Sequence, residues 1–188
     1  MHPIPPIALL LVDIQQGLLD DPYWGGDRNN PEAEARAGEL LTFWRSRDWP
    51  VFHVKHNSTN PASPLVKGKP GNAIQEVVAP LPEEPLFEKT VNSAFIGTGL
   101  EDHLRAAGIQ SLVVVGLTTN HCISTTVRMA ANLGFPTWLV EDATATHDAV
   151  GPDGARYPAA LMHATALASL HQEFATIVTT KHLLDTLR

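Results

Sequence analysis

Apolar residues fall into short dense runs, and between the runs they recur every three or four positions. The runs predict six strands, at residues 7–13, 50–55, 86–89, 111–117, 136–141 and 175–179. Segments such as "IALLLVD" and "SLVVVGL" are apolar at consecutive positions. Both faces of such a strand must be covered, which is the pattern of a parallel sheet between helical layers. The intervening segments carry helix punctuation. In "NNPEAEARAGELLTFWRSRD", Asn30 is the expected cap and Pro31 the first helical residue. Gly108 closes "TGLEDHLRAAG", and Gly134 closes the helix after Cys122. Further helices are expected at 158–171 and over "KHLLDTL". The alternation without internal repeats predicts an α/β fold: a three-layer α/β/α sandwich around a six-stranded, mainly parallel sheet, in the order 3-2-1-4-5-6.

One connection departs from this rhythm. Residues 56–85 hold six prolines and one short helical possibility, "NAIQEVV", in which Asn72 and Gln75 are placed as a capping box. A loop of this length in a compact domain is usually functional, so a substrate lid or a subunit contact is expected.

The chain has 188 residues, 44% of them hydrophobic, which suits one domain spanning 1–188. A formal net charge of −7 without any basic cluster argues against nucleic acid or an anionic membrane surface as partner. No stretch reaches the roughly 20 apolar residues of a membrane span. "MHPIPPIALLLVD" lacks a basic start and a cleavage site, so it reads as a first strand, not a signal peptide. A lone cysteine cannot form an internal disulfide, which points to a reducing, cytoplasmic setting.

That cysteine, Cys122, stands where strand 4 passes into a helix. In an open parallel sheet, ligands bind beyond the carboxyl ends of the strands, where the strand order reverses. Asp13 ends strand 1, Lys89 ends strand 3 and Cys122 follows strand 4, so the predicted order brings all three to one crevice. Singly, each has a plainer reading: a turn former, a surface pair beside Glu88, a small core residue. Together they suit nucleophilic catalysis. A helix start and the Lys89 ammonium are expected to favour the thiolate. The Asp13 carboxylate can take the thiol proton and return it to a leaving amine.

The segments "ALLLVDIQQGLL", "FEKTVNSAF", "VVVGLTTNHCISTTVRMAANLGF", "VEDATAT" and "HATALASL" together resemble the isochorismatase-like cysteine hydrolase superfamily, which includes nicotinamidases, N-carbamoylsarcosine amidohydrolase and streptothricin hydrolase. The resemblance spans almost the whole chain. It implies a triad of Asp13, Lys89 and Cys122, a cis peptide at Leu117–Thr118, and an oxyanion hole from the N–H groups of Thr118 and Cys122. It also implies a homo-oligomer acting on a small-molecule substrate.

Departures from the relatives narrow the expectation. Nicotinamidases carry an Asp-x-His metal motif after the second strand, whereas this chain reads His56-Asn57-Ser58. His53 and His56 are an odd number of residues apart and should face opposite sides of their strand. No metal and no cofactor are therefore expected, and no dinucleotide or phosphate-binding loop occurs in the sequence. Leu18, Trp24, Asn92 and Phe95 are the candidate pocket residues. His121 has a substrate-facing, a positioning or a solvent-facing role, and His163 and His171 read as structural. The expected activity is cysteine-dependent cleavage of a non-peptide C–N bond in a small amide or lactam, through a thioester. The alternatives are an isochorismatase-type vinyl ether hydrolase, whose members do not require the cysteine, and a binding or assembly protein with a relic triad.

Overall fold

A computed structural model describes residues 6–188. In chain order its strands and helices begin with β1 (Ile7–Val12), α1 (Asp21–Trp24), α2 (Ala33–Arg45), β2 (Val51–His56) and β3 (Leu86–Lys89). They continue with α3 (Leu100–Ala106), β4 (Ser111–Leu117), α4 (Ser124–Asn132), β5 (Thr137–Ala145), β6 (Ala149–Val150) and β7 (Arg156–Tyr157). The chain closes with α5 (Ala159–Leu170), β8 (Thr176–Val178) and α6 (Thr180–Leu187).

Six strands form one parallel sheet in the order β3-β2-β1-β4-β5-β8, which is the expected order once the small β6–β7 hairpin is set aside. All six residues of β1 are buried, and the twofold period of the strand divides them between two cores. Ala8, Leu10 and Val12 pack with Leu104 of α3, Val127 of α4 and Leu167 of α5. Ile7, Leu9 and Leu11 pack with Leu40 and Trp44 of α2 and Leu183 of α6. That double burial is why the run has no polar alternation.

Three local expectations need correction. Helix α2 begins after Glu32, not after an Asn30 cap. Asn30 has φ of +43°, and its side-chain amide donates instead to the carbonyls of Glu141 (2.9 Å) and Thr144 (2.8 Å). Those acceptors lie where β5 shifts register against β4, between Val114 and Gly116. The shifted stretch carries β5 on to Ala145, beyond the predicted end at 141.

The segment "NAIQEVV" forms no helix and no capping box. Short 3₁₀ turns occupy Pro70–Asn72 and Glu76–Val78. Asn72 is buried and donates to the carbonyls of Leu65 (2.8 Å) and His56 (3.0 Å). Gln75 donates to the Gln15 carbonyl at 3.2 Å. These amides add side-chain donors to backbone carbonyls of the connection and of the strand ends. The connection is thereby tied to the carboxyl ends of β1 and β2.

Candidate active site

The register aligns four strand ends. Val12 of β1 lies opposite Val54 of β2 and Gly116 of β4, and His56 lies opposite Lys89 of β3. Gly116 has φ of +125°, and a Cβ there would stand 2.0 Å from the Val12 carbonyl oxygen. Only glycine allows β4 to run this close to the end of β1. Immediately beyond Val12, Asp13 adopts φ of +55°, a left-handed conformation costing a non-glycine residue about 1–2 kcal/mol. Such a conformation next to a close approach marks a place where position matters more than local comfort.

Past β4 the Leu117–Thr118 peptide bond is cis. A π-helical turn, Thr119–Ile123, then leads into α4, with the Ile123 N–H donating to the Thr118 carbonyl at 3.2 Å. The turn is held from behind. The Thr119 hydroxyl and His163 Nδ1 are 2.9 Å apart, and Thr146 Oγ1 donates to Asn120 Oδ1 at 2.5 Å. His163 thus has a structural partner, as expected, whereas His171, the residue after α5, is exposed.

Asp13, Lys89 and Cys122 meet at the strand ends. Lys89 Nζ lies 2.5 Å from Asp13 Oδ2, 3.3 Å from Cys122 Sγ and 3.2 Å from His56 Nδ1. The Asp13–Lys89 pair is fully buried. Asp13 Oδ1 is also buried and has no hydrogen-bond partner. A carboxylate oxygen so placed keeps lone pairs free for a proton.

The thiol differs from expectation. Burial pushes the Cys122 pKa up and the neighbouring Asp13 carboxylate adds to the rise, while Lys89 opposes both without prevailing. This raised pKa favours the neutral thiol, whose proton needs an acceptor. Desolvation leads because the sulfur, although it borders a cavity, is largely packed against core side chains.

A cavity of about 280 Å³ opens over the sulfur. Leu18, Trp24, Asn92, Leu117 and Thr118 line it together with Asp13 and Cys122, and His56, Leu65 and His121 join them. Trp24 is fixed by its indole N–H, which donates to the Gly17 carbonyl at 2.7 Å. Leu65 brings the 56–85 connection into the cavity wall. A further lobe of about 240 Å³ continues past Trp24, Thr118 and His121 toward Val150 of the hairpin. Phe95 is not part of the wall: it is buried in the core and stacks on Phe135, with ring centroids 6.3 Å apart. It follows Lys89 in sequence, but the chain turns inward at Ser93, whose hydroxyl accepts from the Phe95 N–H.

His53 and His56 do separate, His53 pairing with Glu84 at 2.8 Å and His56 facing the cavity. A donor set of Asp13, His56 and Cys122, with ligand atoms within 4.8 Å of one another, has the spacing of a metal site. The Lys89 ammonium touches all three of those side chains, however, and a second cation beside it would be repelled. The residues present fit the ammonium better than a metal.

A parallel sheet in this order, with thiol, carboxylate and ammonium gathered where its order reverses, defines an α/β protein whose candidate site lies beyond its strand ends. The chain belongs to the isochorismatase family, whose domain model matches residues 7–182. It is 46% identical over 178 residues to the isochorismatase family protein YrdC of Bacillus subtilis, covering 95% of this chain and 94% of that protein. It is 33% identical over 144 residues to the streptothricin hydrolase of Streptomyces noursei, covering 75% of this chain and 50% of that protein. Its fold is similar to the crystal structure of an isochorismatase-family chain from Chromobacterium violaceum, with a TM-score of 0.93, 43% identity, and 99% and 95% of the two chains covered.

Proposed function

We propose that this isochorismatase-family hydrolase cleaves a non-peptide C–N bond of a small amide or lactam, with Asp13, Lys89 and Cys122 as its catalytic residues. The observation that carries the reading is the buried, unpartnered Oδ1 of Asp13 in the same cluster as the Cys122 thiol. A thiol that rests protonated requires a base at the moment of attack, and Asp13 meets that need.

Cys122 Sγ bonds to the substrate carbonyl carbon as its proton passes to Asp13. The carbonyl electron pair moves onto oxygen, where the N–H groups of Thr118 and Cys122 stabilise it. Collapse breaks the C–N bond, and Asp13 hands its proton to the departing amine. Water then attacks the thioester, giving a proton to Asp13 as it bonds to carbon. The acid leaves, and the proton returns to sulfur. Lys89 holds Asp13 in position and offsets the negative charge that forms on the sulfur. Hydrolytic relatives such as streptothricin hydrolase support the reaction type. A thiol that must stay reduced suits a reducing compartment.

The test is turnover of a panel of primary amides and lactams by wild type and Cys122→Ala, with intact mass measured after rapid quenching. The acyl group should appear on the protein only when Cys122 is present. Equal turnover by Cys122→Ala would overturn the reading.

A further inference from the structure

We propose that the site is built for amides that carry no anionic group, the amide reaching Cys122 while an apolar flank lies against Leu18, Leu65 and Trp24. This rests on the reading of Cys122 as the nucleophile and names the substrate class for it.

Among the described residues, no arginine lines either lobe of the cavity, and the one lysine at the cluster is Lys89. An ammonium has three N–H donors. Lys89 meets one acceptor for each of them: Asp13 Oδ2, His56 Nδ1 and Cys122 Sγ. It has no donor left for a substrate carboxylate. His56 accepts from Lys89 through Nδ1, so it is neutral in this arrangement; burial first and Lys89 second lower its pKa. Burial also lowers the pKa of His121. The charge at the floor is therefore one carboxylate and one ammonium, already paired.

A carboxylate entering this space would lose water and gain no partner, a large cost for an ion. It would also approach Asp13, whose Oδ1 has no donor of its own. An uncharged amide meets neither penalty. The same count disfavours a vinyl ether substrate bearing carboxylates.

Two matched reagents separate the cases without requiring a known substrate. Iodoacetamide and iodoacetate differ in one neutral amide against one carboxylate. Their rates at Cys122 are followed by intact mass between pH 7 and 9 (a range that brackets the ordinary thiol), with Cys122→Ser to confirm the labelled site and 2-mercaptoethanol as the free-thiol reference. The rate ratio of iodoacetamide to iodoacetate at Cys122 should exceed that of the reference by at least about tenfold, the scale of one lost charge-assisted hydrogen bond. Asn92 is exposed at the cavity rim, and Asn92→Arg should narrow the ratio by supplying a cation.

A ratio equal to the reference would overturn the exclusion of anions while leaving Cys122 as nucleophile. So would a wide ratio that Asn92→Arg leaves unchanged, because shape and not charge would then be discriminating. If neither reagent labels the folded protein although an amide substrate acylates Cys122, reagent charge is not what the site discriminates and the inference falls alone. If nothing acylates Cys122, the nucleophile assignment falls and the inference with it.

Discussion

Gly116 and Val12 are in contact at the backbone: any side chain at 116 would begin 2.0 Å from the Val12 carbonyl oxygen. The residue after Val12 is Asp13, and Gly116 is followed by the segment that leads to Cys122. The distance between the proposed base and nucleophile therefore depends on a missing methyl group.

Gly116→Ala should destabilise the protein by more than about 4 kcal/mol, at the extreme of single substitutions. Both φ of +125° and the backbone clash oppose it, and neither neighbour is a flexible side-chain end. Urea unfolding measures this directly. A loss below about 1 kcal/mol would mean that β1 and β4 can separate, contrary to the packing described.

Asp13→Asn keeps the shape of the side chain but removes the proton acceptor. Turnover of an amide substrate should fall by about 10²–10⁴-fold, the usual range for general acid–base catalysis. A fall of less than tenfold, about 1.4 kcal/mol in barrier, is too small for the only base in both half-reactions. Asp13 would then be structural.

Phe95 and Leu18 were equivalent on sequence and should separate by experiment. Phe95→Ala removes a stacked core ring and should cost about 3–5 kcal/mol of stability, with kcat per folded molecule little changed. Leu18→Ala widens the cavity and should raise KM. A change in KM from Phe95→Ala, with stability intact, would return that residue to the wall.

Five histidines, His53, His56, His121, His147 and His163, have pKa values lowered from 6.5, with burial the leading cause in each. The unfolded chain binds protons near pH 6.5, before the folded one does, so acid favours unfolding. Their contribution to stability is complete above about pH 6.5 and is lost as pH falls below it, each histidine adding a slope of up to about 1.4 kcal/mol per pH unit. Tm should be level with respect to these groups from pH 8 to 7 and decline steadily from pH 6 to 5. A Tm unchanged down to pH 5 would contradict their neutral burial.

The sheet was readable because strands covered on both faces leave long apolar runs, and because polar residues at strand ends are conspicuous against them. The same rule that selected Asp13 and Lys89 also applies to His56, the last residue of β2 and the register partner of Lys89. Read as half of a metal pair, it gives no sign of its contact with the ammonium. Gln15 and Leu65 had no such signal. Gln15 is fully buried, accepts from the His56 N–H at 2.9 Å and donates to the His56 carbonyl at 3.0 Å, a partnership 41 residues distant that local pattern does not encode. Asn30 departs from its expected role for the related reason that a capping residue and a long-range amide clamp look alike in sequence. The lowered thiol pKa failed because helix starts and lysines are visible in a sequence, while desolvation is a property of the finished fold.

Lys89 and Asp13 also bear on how a substrate arrives. Their charges cancel at 2.5 Å and are sealed from solvent, so dissolved ions have little access to the pair. The net charge of −7 belongs to the remainder of the molecule. An uncharged amide feels no steering from that field, and its capture depends on diffusion and fit alone. The specificity constant for such a substrate should then vary little between low and high ionic strength.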